Sequence, residues 1–152
     1  MADSCNIALI GAGSMGRRHI EAMASVKEAI LVAIADPSSA ADALGKAQGI
    51  PVFADAEQML TEADIDAVII ATPTARHHAD VMTVLRHKKT ALVEKPITAT
   101  IDEAREVTNF AATQGCNVLV GHQRRYYPCA ERARDILQSG RIGKLIAVSG
   151  QW

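Results

Sequence analysis

The stretch that decides the fold runs from residue 5 to residue 36, CNIALIGAGSMGRRHIEAMASVKEAILVAIAD. It reads as an apolar strand, a glycine-rich turn, an amphipathic helix, a second apolar strand and a closing aspartate. Each part answers a physical need of a bound dinucleotide. Gly11 lets the backbone turn sharply out of the first strand. Gly13 leaves no side chain where a pyrophosphate must approach, and Gly16 lets the helix lie close to the sheet. The helix that opens with Ser14 and Met15 presents free backbone N–H groups and the positive end of its dipole to the phosphates. Asp36 follows Gly16 by twenty residues, the distance expected of a carboxylate that accepts hydrogen bonds from an adenosine ribose. A turn that merely needs glycines, with Asp36 capping the helix that starts near Ser38, accounts for the turn but not for the acid's distance.

Outward from this unit, apolar runs alternate with helical periodicity. Strands are predicted at Ile7–Ile10, Leu31–Ala35, Val52–Phe53, Ala67–Ala71, Ala91–Val93 and Asn117–Val120. Helices fall between them, at about 14–24, 38–48, 56–63, 76–87 and 101–114. Thr100 with Glu103 resembles a capping box, and Gly49 and Gly115 stand where helices end on glycine. The class is α/β: a doubly wound parallel sheet of the Rossmann type, with its ligand crevice at the carboxyl ends of the strands. After Gly121 the pattern changes. HQRRYYP is polar and basic, a helix is predicted over 128–139, and Lys144–Trp152 alternates like a sheet strand. Residues 1–120 are read as the dinucleotide-binding domain, and 121–152 as the beginning of a second, α+β domain whose remainder is missing.

Bulk composition agrees. The 152 residues are 49% hydrophobic and 22% charged but only 3% aromatic, so the core must be built from Ala, Val, Ile and Leu, as suits a sheet covered on both faces. A net charge of −1 gives no electrostatic reason to expect nucleic acid or an acidic membrane surface as a partner. No apolar run approaches the ~20 residues of a membrane span, and MADSCNIALI has no basic leader. Cys5, Cys116 and Cys129 are an odd, widely spaced set without CxxC. They fit reduced cytoplasmic thiols rather than a disulfide frame or a metal site.

Four motifs in order, GAGSMG at 11–16, ATPTARHH at 71–78, VEKP at 93–96 and GHQRRYYP at 121–128, make the chain resemble the N-terminal portion of Gfo/Idh/MocA-type oxidoreductases. GRIGKLIAVSGQW at 140–152 resembles that family's entry into its second domain. The resemblance implies that Thr72 and Pro73 shape a loop beside the nicotinamide half of the cofactor, with His77 at a recurring histidine position; for His78 an exposed place on the helix is preferred. It implies that Lys95 is the catalytic-site lysine, hydrogen-bonding the reacting hydroxyl, and that Glu94 orients Lys95 or the ribose. Arg125 matches a position that reaches the nicotinamide or a substrate carboxylate, and Tyr126 and Trp152 match walls of the substrate pocket. Packing at a domain junction is an equal reading of the Arg125–Tyr126 pair. One departure stands out. The family places glycine before the VEKP strand, whereas this chain has His87-Lys88-Lys89, so either Lys88 is left-handed, at a cost of about 1–2 kcal/mol, or the turn differs.

The reaction so implied is hydride transfer between a secondary alcohol of a sugar or polyol and a nicotinamide. The family's base, a histidine aided by an aspartate, belongs to the second domain beyond residue 152, so cofactor binding without turnover is expected of this chain. Any homo-oligomer is expected to form through that second domain. Asp36 is followed by Pro37-Ser38-Ser39-Ala40, with no local cation for a 2′-phosphate. A carboxylate repels a phosphate dianion, so NAD is favoured over NADP. A stand-alone sensor module, and a hydrolase or biliverdin-type reductase on the same scaffold, are the competing readings.

Overall fold

The computed structural model describes residues 4–150, which divide into two compact units at the Gly121–His122 bond. In the first unit, period-2 apolar runs become β1 (Cys5–Ile10), β2 (Ala29–Ala35), β3 (Val52–Phe53), β4 (Ala67–Ile70), β5 (Thr90–Val93) and β6 (Val118–Val120). All pair in parallel, in the order β3-β2-β1-β4-β5-β6. The crossovers carry α1 (Ser14–Met23), α2 (Ser39–Gln48), α3 (Ala56–Glu62), α4 (Thr74–Arg86) and α5 (Ile101–Gln114). This is the doubly wound Rossmann sheet expected from the sequence.

Strand alternation sorts the core into two layers. Ala8, Ile10, Val68, Ile70 and Val93 face Met59 of α3, Val81 and Leu85 of α4 and Val107 of α5. Leu9, Ile34 and Ile69 face the other way, toward Met23 of α1 and Ala41 of α2. Burying each Leu, Ile or Val contributes roughly 1.5–3 kcal/mol, and both layers draw on the same strands, so the sheet is held from two sides.

Local signals end the helices where expected. Thr100 Oγ1 accepts the Glu103 N–H while the Glu103 carboxylate accepts the Thr100 N–H, a complete capping box. Gly49 and Gly115 close α2 and α5 at φ 68° and 66°. The turn after α4 has Lys88 at φ 57°, so a lysine occupies a conformation that favours glycine. Lys88→Gly is therefore expected to raise stability by about 0.5–1 kcal/mol, the relief of the left-handed conformation less the entropy glycine loses on folding. A urea midpoint shifted upward at constant slope shows it; a lowered midpoint would mean that the lysine side chain contributes more than its backbone costs.

The second unit holds a 3₁₀ turn over Gln123–Tyr126 and α6 over Pro128–Gln138, with proline in its first turn. The strand expected from Lys144 onward is absent: residues 144–150 form no regular element. Alternation supplies only a face, whereas a strand also needs a neighbour for its N–H and C=O groups. Among the described residues no strand pairs with this segment. Trp152, expected as a pocket wall, lies outside the described residues. No described helix is long and apolar enough to cross a membrane.

Candidate functional site

The sheet order reverses between β1 and β4, and a crevice of about 520 Å³ opens there at the carboxyl ends of the strands, the place where such sheets bind ligands. Its floor is the glycine turn. Gly11, at φ 91°, donates its N–H to Ala35 O at 3.0 Å, and a Cβ there would come within 2.9 Å of the Ala71–Thr72 peptide. At Gly16 a Cβ would stand 2.1 Å from Gly11 O, so α1 is pressed onto the end of β1. Gly13 differs: it sits at φ −68°, and an added Cβ would meet nothing within 4 Å. Protein packing requires Gly11 and Gly16 but not Gly13. Gly13 instead leaves open space at the edge of the crevice.

The start of α1 is open electrostatically as well. Helices α2 and α3 are capped by the side chains of Ser38 and Asp55 and carry Asp42 and Glu57 in their first turns. Helix α1 has no side-chain cap and no acid in its first turn. Its leading N–H groups and dipole end, at Ser14 and Met15, lie beside the crevice without a side-chain cap, and α4 likewise starts with neither cap nor acid.

Asp36, just past β2, is tied down by backbone. Its Oδ2 accepts the Ala12 N–H at 2.8 Å and its Oδ1 the Ser38 N–H at 2.9 Å. It thus joins the glycine turn to Ser38, the residue that caps α2. Partial burial works to raise its pKa, but hydrogen bonds from Ser38 and Ala12 and the positive charge of Arg76 outweigh it and hold the carboxyl below its ordinary value. It is an ionised acceptor at neutral pH.

Thr72 and Pro73 line the crevice beyond β4. Thr72 Oγ1 donates to buried Asp80 at 2.7 Å, and the other oxygen of Asp80 accepts from Arg76 Nη2 at 3.0 Å. That hydrogen bond and charge raise the pKa of Arg76, which also lines the crevice. His77, expected beside the cofactor, is only 1% exposed. Its Nδ1 lies 2.7 Å from Pro96 O and its Nε2 2.9 Å from Thr72 O. The ring therefore braces the Thr72 loop against the Lys95–Pro96 loop and has no surface to offer a dinucleotide. His78 is partly exposed and pairs with Glu106 of α5 at 2.9 Å.

At the end of β5, Glu94 is buried and Lys95 exposed. Glu94 Oε2 accepts the Lys95 N–H at 3.3 Å, while Oε1 accepts from His19 Nε2 of α1 at 2.9 Å. The Lys95 ammonium has no protein partner among the described residues. Arg125 and Tyr126 belong to the second unit, on the exposed 3₁₀ turn. His19, Arg76 and Asp80 are the residues that sequence reasoning missed. The Arg76–Asp80 spacing of four was readable as a helical pair, and His19 stands three residues past Gly16 on the inward side of α1. The segment after Asp36 holds no cation, as read from the sequence, but the crossover after β4 brings Arg76 to act on its charge.

This fold and glycine turn define a dinucleotide-binding Rossmann unit, and comparison with known proteins gives the family. Residues 5–122 match the Gfo/Idh/MocA family, described as "Oxidoreductase family, NAD-binding Rossmann fold". The chain belongs to that family. It is similar to the rhizopine catabolism protein MocA of Rhizobium meliloti, 33% identical over 96% of this chain and 46% of that protein. It is also similar to scyllo-inositol 2-dehydrogenase (NAD(+)) of Bacillus subtilis, 31% identical over 99% of this chain and 45% of that one. Among solved structures, scyllo-inositol dehydrogenase from Lactobacillus casei with bound NAD(H) and scyllo-inositol superposes with a TM-score of 0.87 at 28% identity, covering 93% of this chain and 43% of that one. The chain spans less than half the length of these relatives.

Proposed function

We propose that residues 4–121 form the NAD site of a dehydrogenase acting on a secondary alcohol of a polyol or sugar, with residues 122–152 opening the domain that completes it. The observation that carries the reading is the empty approach at Gly13, bounded by an uncapped helix start and by the ionised Asp36. When bound, NAD supplies the hydride acceptor. The N–H groups of Ser14 and Met15 receive the pyrophosphate, and Asp36 accepts from the adenosine ribose. Thr72 and Pro73 border the crevice. Lys95, exposed and without a protein partner among the described residues, offers an ammonium to the substrate hydroxyl and stabilises negative charge on its oxygen as the proton departs. The general base belongs to the part of the relatives that this chain does not span, as do the remaining substrate contacts and the surface through which subunits associate. A cytoplasmic setting fits the three free thiols.

NAD is favoured over NADP because Asp36 stands where a 2′-phosphate would have to sit, and like charges repel. The surroundings make this choice depend on one residue. Arg76 borders the crevice, and Arg17 and Arg18 border a second hollow of about 700 Å³ that also includes Asp36 and Ser38. Arg76 thus acts on the charge of Asp36, while Arg17 and Arg18 line a hollow that the carboxylate shares. Calorimetric titration of the chain with NADH and NADPH is expected to show tighter NADH binding. Asp36→Ala is expected to weaken NADH roughly tenfold, the value of a charge-assisted hydrogen bond, and to make NADPH the tighter ligand. Binding of neither nucleotide by the parent chain would sink the reading. An unchanged preference in the variant would remove Asp36 from it.

A further inference from the structure

We infer that His19 is a positioning residue for the nicotinamide half of the site: through Glu94 it holds the Lys95 edge of the sheet in register with the helix that receives the pyrophosphate. The inference rests on the reading of Lys95 given above, and adds that the nicotinamide riboside lies along this same edge.

Glu94 is a carboxylate 8% exposed at the end of β5, and such a group is tolerated only with partners. Its partners come from three elements. His19 donates its Nε2–H to Oε1 from α1, across the 75 residues between them. The Lys95 N–H reaches Oε2. At the end of β6, Gly121 leaves room for the carboxylate, since a Cβ there would come within 3.3 Å of Oε1. Of these contacts only the histidine is a side chain that fixes the carboxylate's direction. Strand β4 lies between β1 and β5, so His19 spans the sheet from the glycine-turn helix to the lysine strand. Without it, Oε1 loses its side-chain hydrogen-bond donor, and Glu94 is free to swing toward Lys95 and engage the ammonium meant for the substrate.

The test separates the two halves of the ligand. The full chain, its His19→Ala variant and its His19→Gln variant are titrated with NADH and with ADP-ribose, which lacks the nicotinamide. Expected is a roughly tenfold loss of NADH affinity in His19→Ala, ADP-ribose unchanged within about twofold, and recovery in His19→Gln, whose amide can still donate to Glu94. A general disturbance of α1 would weaken both ligands alike, because α1 also receives the pyrophosphate; that result, or no loss for either, would overturn the inference. So would a glutamine variant as weak as alanine. Because a variant can fail to fold, the parent chain is also titrated with its histidine ring nitrogens labelled. NADH but not ADP-ribose should move the His19 Nε2 resonance, and equal responses to the two overturn the inference. If the parent chain binds ADP-ribose as tightly as NADH, the proposal for the Lys95 edge itself falls, an outcome distinct from a failure of His19 alone.

Discussion

Replacing Gly13 with valine is expected to remove NADH binding and leave the fold standing. The backbone at Gly13 has φ −68°, open to any L residue, and a side chain there would meet no protein atom within 4 Å. The cost to the fold is confined to a poorer helix cap, up to about 1 kcal/mol. The cost to binding is steric: the isopropyl group fills the space in front of the α1 N–H groups, where the pyrophosphate must come. A loss of at least about a hundredfold in affinity, near 2.7 kcal/mol, is expected by calorimetry, with a melting temperature within about 3 °C of the parent. Undiminished NADH binding in a folded variant would move the pyrophosphate elsewhere and take the main support from the proposed function.

Gly16→Val is expected to do the reverse, striking the fold first. A Cβ at this position would lie 2.1 Å from the carbonyl oxygen of Gly11 and 3.2 Å from Leu9 Cδ2. The first of these neighbours is backbone and has no other rotamer to adopt. Helix α1 must lift from β1, opening the layer of Leu9, Met23 and Ile34. Overpacking of this kind costs about 3 kcal/mol, which corresponds to a fall of about 10 °C in melting temperature, followed by circular dichroism. A variant that melts with the parent would show that α1 does not depend on this contact. Set side by side, the two valines test the division of roles, one glycine for a ligand and one for packing, that the spacing of GAGSMG predicts.

What was legible in the sequence was local. The capping box at Thr100, the terminal glycines at positions 49 and 115 and the left-handed alternative at Lys88 are all decided within a few residues. The doubly wound sheet followed from one added rule, the handedness of crossovers. What was not legible joins distant segments. His77 was expected beside the cofactor by resemblance, and its burial was hidden because it depends on Pro96 O and Thr72 O closing on it from two different crossovers. Arg76 approaches Asp36 only after β4 is placed beside β1. The segment from Lys144 was read as a strand from alternation alone, and alternation carries no information about whether a partner exists.

The tethering of Asp36 has a further consequence. Its two oxygens already hold the Ala12 and Ser38 amides, so the side chain's rotamer is chosen when the protein folds. A loosely held carboxylate surrenders its rotamer freedom on meeting a ligand and gives back part of the affinity. Here that entropy is spent beforehand, and the carboxylate is fixed before any ligand arrives. Charge alone is therefore an incomplete description of this position, since glutamate carries the same charge on a longer stem that the two amides do not fit.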